Sequence, residues 1–119
     1  MQEYLLLIRK EGNAHEGISP EQGQQHVQKV ATYIGNLIKE GKLKGAQPLE
    51  PEGKILSNTK GVWKDGPYNE TKEVIAGYFL ISANSLEEAV VIAKANPIFE
   101  DYPGARIEVR PIKKVEGIN

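Results

Sequence analysis

The chain contains no cysteine. Disulfides, thiolate metal sites and a cysteine nucleophile are therefore excluded. Two histidines argue against the usual multi-histidine metal site, and no cofactor is expected. Charge of one sign is also missing. Fifteen basic and sixteen acidic residues leave a net charge of −1, without the basic excess or stripe of a nucleic-acid binder. The N-terminal apolar run Leu5-Leu6-Leu7-Ile8 is far shorter than the roughly 20 residues of a membrane span, and no basic segment precedes it as in a signal peptide. A soluble, cytoplasmic protein with no membrane contact is expected. Neither GxGxxG nor GxxxxGK[ST] occurs, so no Gly-rich phosphate loop is present. Internal repeats and low-complexity tracts are absent.

What is there suffices for a core. The 119 residues suit one domain, 1–119. Leu, Ile, Val and Phe make up about a quarter of them, above the roughly 20 % below which chains tend to stay disordered. Residues 3–9 alternate as a strand, with Tyr4, Leu6 and Ile8 on one face and Leu5 and Leu7 on the other. Ser19-Pro20-Glu21-Gln22 is a helix start with a capping box and proline at the first position. Val27, Val30, Ala31, Ile34, Leu37 and Ile38 follow at helical spacing, and Gly41 ends the helix. Residues 43–47 read as a strand, and 54–59 and 62–65 as a hairpin turning at Thr59-Lys60-Gly61. Residues 77–83 are a strand apolar on both faces. Ser85-Leu86-Glu87-Glu88 opens a second capped helix with a stripe of Leu86, Ala89, Val90 and Ala93, stopped by Asn96-Pro97. Residues 105–112 form the last strand.

Without the hairpin this order is βαββαβ, a ferredoxin-like α+β fold with both helices on one face of an antiparallel sheet. Two strands are nevertheless apolar on both faces, and no third layer of chain remains to cover the second. A homodimer, two sheets packed face to face as a dimeric α+β barrel, is the economical answer.

The most distinctive segment is Asp65-Gly66-Pro67-Tyr68-Asn69-Glu70-Thr71-Lys72-Glu73, followed by Ala76-Gly77-Tyr78-Phe79-Leu80-Ile81. It resembles the DGPF branch of the YCII-related family. Tyr4 to Ile8, Ser19-Pro20-Glu21 with His26, Leu86-Glu87-Glu88-Ala89 and Ile107-Glu108-Val109-Arg110-Pro111 resemble further family motifs in the same order. Two positions depart: Tyr68 stands for the motif's Phe, and Ala76 for the first glycine of Gly-Gly-Tyr, which puts a positive-φ backbone there in doubt. The resemblance implies the dimeric barrel. It implies no settled reaction, although distant relatives include lyases and isomerases and a His–Asp pair in a cleft has been suggested as a site.

Asp65 and His26 are the candidate catalytic pair, each with a plainer reading. Asp65 suits an Asx turn ahead of Gly-Pro, and His26 suits a packing histidine at the edge of the helix stripe. Tyr68, Lys72, Glu73 and Tyr78 are candidate ligand-binding residues; as loop charges or core aromatics they need no ligand. His15 sits in a polar loop without a visible partner. Trp63 fits either an interface anchor or burial against the sheet. Three functions follow: a lyase- or isomerase-type enzyme in which His26 and Asp65 move a proton next to a carbonyl, a small-ligand-binding or regulatory dimer without chemistry, and a structural dimer.

Overall fold

The computed structural model describes residues 1–11, 18–67 and 73–119. Its elements are β1 (Gln2–Glu11), α1 (Pro20–Lys39), β2 (Leu43–Pro48), β3 (Lys54–Thr59), β4 (Val62–Pro67), β5 (Glu73–Ala83), α2 (Leu86–Lys94), α3 (Ile98–Asp101) and β6 (Arg106–Pro111). Four strands form a sheet in the order β2-β5-β1-β6, every neighbouring pair antiparallel. This is α+β architecture compatible with a ferredoxin-like fold. β3 and β4 form a separate two-stranded sheet.

The alternation read in β1 and β5 sorts their side chains. Tyr4, Leu6, Ile8, Phe79, Ile81 and Ala83 are buried against the helices, Leu6 and Ile81 completely. Each such large aliphatic contributes about 1.5–3 kcal/mol relative to an exposed one. Leu5, Leu7, Tyr78 and Leu80 alternate to the other face and are only half-buried. Arg9 donates to Glu108 there at 2.8 Å, and Arg110 donates to the same carboxylate at 3.0 Å. Together the two guanidinium groups hold the Glu108 carboxyl below the usual carboxylate range, the Arg110 hydrogen bond being the larger cause.

α1 starts as expected. Ser19 Oγ accepts from Gln22 N and Gln22 Oε1 accepts from Ser19 N, the complete capping box. Its buried face differs from the expected stripe. It is centred on Tyr33 and Leu37, while Val27 and Ile38 are 66 % and 60 % exposed. Tyr33 turns the helix inward. Its hydroxyl donates to Ile92 O at 2.6 Å, and its ring meets Phe79 edge-on at 5.6 Å.

The second capping box is half formed. Ser85 Oγ accepts from Glu88 N, but the Glu88 carboxylate turns to Asn84 and to Lys42. In the α2 stripe Ile92 takes the buried place expected of Leu86, which is 45 % exposed.

The hairpin turns where expected, with Lys60 and Gly61 both at positive φ (52° and 83°). Such a turn matches the twist of paired strands. Asn58 Oδ1 accepts from Gly61 N. Every β3 residue is exposed, and Trp63 is 70 % exposed, so Trp63 does not pack on the sheet of its own chain.

Candidate functional site

Between α1, α3 and the helix-facing side of the sheet lies a cavity of about 430 Å³. Its wall is mostly apolar, with Val30, Ile34, Ala76 and Phe79 among its members, and its polar groups are Lys10, His26, Gln47, Asn96 and Tyr102. Four elements bring these groups together, Gln47 coming from β2. His26 lies on α1 one turn before Val30 and two turns before Tyr33, on the inward side of the helix. Lys10 lies near the end of β1, opposite Val74. Asn96 and Tyr102 flank α3.

α3 was not expected from the sequence, yet it builds the site. After α2 ends, Asn96 Oδ1 accepts from Ile98 N at 2.9 Å and starts the single turn. Ile98 anchors it in the core, and Asp101 faces α1. His26 Nδ1 and Asp101 Oδ2 are 2.6 Å apart, with the two side chains only 13 % and 21 % exposed. Lys29 Nζ donates to the second Asp101 oxygen at 3.1 Å. The His26 hydrogen bond is the largest cause holding the Asp101 carboxyl below the usual carboxylate range; Lys29 adds to it and partial desolvation opposes it. A carboxylate accepting at Nδ1 places the remaining proton chemistry of the imidazole at Nε2.

Tyr102 organises the other polar groups. The His26 ring meets its edge with centroids 5.0 Å apart. Lys10 Nζ lies 4.2 Å from its centroid, a cation–π contact. Lys10 is half-buried, and burial pulls its pKa below the ordinary lysine value. Asn96 is 3 % exposed, and its Nδ2 has no hydrogen-bond partner among the described residues. An unsatisfied buried donor costs about 1–3 kcal/mol.

The expected pairing of His26 with Asp65 does not occur within the chain. Asp65 lies on β4, 61 % exposed, 3.6 Å from Lys54, and lines an open groove of the hairpin with Trp63 and Ile55. His26 lines the other cavity, and the carboxylate on it is Asp101. The two are 75 residues apart, so no local spacing could show the pair. The available signal was Asn96-Pro97 followed by Asp101-Tyr102-Pro103-Gly104, a one-turn helix with a start and a stop. Tyr78 sits on the far face of the sheet from His26. Tyr68, Lys72 and His15 lie outside the described residues, as does the side chain of Glu73. Among the described residues no group of three or more His, Asp or Glu is placed to hold a metal, and no helix is long and apolar enough to cross a membrane.

The YCII-related domain matches residues 2–116. The chain belongs to the YCII-related family. An uncharacterised protein of Rhizobium meliloti (strain 1021) is 29 % identical over 117 residues, covering 92 % of this YCII-related chain and 90 % of the relative. Among solved structures, an unknown protein from Galdieria sulphuraria aligns with a TM-score of 0.39 at 15 % identity, over 96 % of this chain and 46 % of that one. The chain thus spans about half the length of that protein. A DUF3240 family protein from Shewanella baltica OS155 aligns with a TM-score of 0.38 at 13 % identity, over 100 % and 99 % of the two chains.

Proposed function

We propose that this YCII-related protein is a small-molecule enzyme of the lyase or isomerase type, with His26 as the proton-transferring base and Asp101 as the residue that positions it. The observation that carries this reading is the 2.6 Å His26–Asp101 contact in the wall of a largely apolar cavity. The Nδ1–H group donates a hydrogen bond to the Asp101 carboxylate, and Nε2 takes a proton from the carbon next to a substrate carbonyl. The C–H electron pair moves into the carbonyl as an enolate. The proton then returns at another carbon, or a leaving group departs from the neighbouring carbon.

The test is proton exchange in D₂O, followed by proton NMR, with pyruvate and α-ketoisocaproate as probes. Wild type is expected to exchange the protons next to the carbonyl. His26→Gln should lower the rate by about 10²-fold or more, the usual scale of a general base, and Asp101→Asn should lower it too. Equal rates in wild type and His26→Gln overturn the reading. A probe that binds without exchange favours the alternative, a ligand-binding or regulatory module.

The assembly proposed with this reading is a homodimer of the dimeric α+β barrel kind, in the DGPF branch. The half-buried Leu5, Leu7, Tyr78 and Leu80 on the helix-free face support it. A role for Asp65 is tied to that dimer, in which the exposed hairpin has a partner to pack against.

A further inference from the structure

We infer that the His26 cavity takes a small carboxylate with an apolar body, its anionic end held by Lys10 and Asn96. This rests on the reading of that cavity as the ligand site, and it names the ligand class. Three observations point the same way.

Lys10 places an ammonium in the cavity wall over the face of Tyr102, 4.2 Å from the ring centre, and among the described residues no carboxylate pairs with it. A half-buried cation stripped of water, with its pKa pulled down by burial, gains from an anion that restores the lost solvation. Asn96 supplies the second donor. Its Oδ1 is held by Ile98 N at 2.9 Å, which fixes the amide orientation and leaves Nδ2 buried and, among the described residues, unpaired. Such a donor calls for an acceptor oxygen. Lys10 Nζ and the His26 ring both sit on Tyr102, so they can be no farther apart than the sum of their distances to its centre. A molecule of a few carbons reaches both.

The donor set also excludes larger anions. One ammonium and one amide N–H suit the two oxygens of a singly charged carboxylate. A phosphate ester would bring a second charge and more oxygens to a wall otherwise made of Val30, Ile34, Ala76 and Phe79, against the cost of burying unpaired charge. At about 430 Å³ the space falls at the small end of ligand pockets, roughly 300–1,000 Å³. The apolar wall accepts a short hydrocarbon chain.

Calorimetric titration with isocaproate and its neutral isostere isocaproamide tests the inference. Wild type is expected to bind the carboxylate about tenfold more tightly than the amide, the scale of one charge-assisted contact. Lys10→Met should remove that preference and leave amide binding within about twofold. Asn96→Asp keeps the oxygen that holds Ile98 N and replaces the donor by a negative oxygen, so it should weaken the carboxylate by at least as much. If that variant does not fold, Lys10→Met still decides. Equal affinity for the two probes, carboxylate binding unchanged in Lys10→Met, or no carboxylate binding at millimolar concentration overturns the inference. Carboxylate preference without His26-dependent proton exchange overturns the proposed reaction alone. Exchange without carboxylate preference overturns the ligand class alone.

Discussion

Tyr33 does more for this protein than its place in the sequence suggests. Its hydroxyl reaches across from α1 to Ile92 O on α2, and burial pushes its pKa up to about 12. A phenol that folding keeps neutral contributes its stability fully below its unfolded value near 10. That contribution is lost as pH rises through the folded value. Chemical denaturation from neutral to alkaline pH is therefore expected to show about 2–3 kcal/mol of Tyr33-linked loss between pH of about 10 and 12. In Tyr33→Phe that part of the slope is absent, and about 1 kcal/mol is missing already at neutral pH. Ala76 resolves the doubt about the departed glycine. Lys60 is the sole non-glycine residue at positive φ among the described residues, so Ala76 does not adopt one; it is the extra residue of a β-bulge, where the register passes from Ile8–Gly77 to Arg9–Ile75, and it lines the cavity. The glycine that sterics require is the next one. A Cβ on Gly77 would meet Gln47 O at 2.9 Å and Pro48 Cα at 3.3 Å.

That contact belongs to the pairing of β2 with β5. Gly77→Ala forces the two strands apart beside the cavity, and a loss of about 1–3 kcal/mol is expected, as for other overpacked sites. A lowered urea midpoint with an unchanged slope would confirm it; an unchanged midpoint would show that β2 yields freely. Most elements were legible in the sequence because their signals are local. The box at Ser19 and Gln22, the two-residue turn at Lys60-Gly61 and the alternation in β1 and β5 each act within a few residues. The rotation of α1 was not legible, because Val27 and Ile38 fit a helical stripe as well as Tyr33 does. Only contact with Phe79 and Ile92, far along the chain, decides between them. The site was half legible for the same reason. His26 was found from its helix and the family resemblance. Asp101 was missed because a four-residue helix has almost no periodicity, and its acceptor role exists only once α3 packs on α1.

At the scale of the molecule, the radius of gyration is 16.3 Å and the extents are 48 × 45 × 19 Å. A compact domain of this length has a radius near 13–14 Å. The excess comes from a shape that is one sheet and one helical layer thick, with a hairpin that forms a separate two-stranded sheet. A hairpin alone is marginal in water, and the proposed dimer supplies a surface for it as well as for Leu5 and Leu7. Light scattering on the eluting protein is expected to give twice the 13.2 kDa chain mass. Leu7→Lys, which puts a charge in the middle of the helix-free face, should return the chain mass. A monomeric wild type would rule the assembly out.

The order of strands has one more consequence. The two long strands, β1 and β5, occupy the middle of the sheet, and the six-residue β2 and β6 form its rims. Each rim strand ends on a proline, Pro48 or Pro111, and β6 alternates charged side chains along its length. Short, charged, proline-stopped rims are poor templates for a foreign strand. The sheet is thereby protected against sideways growth into fibrils, even though one of its broad faces stays greasy.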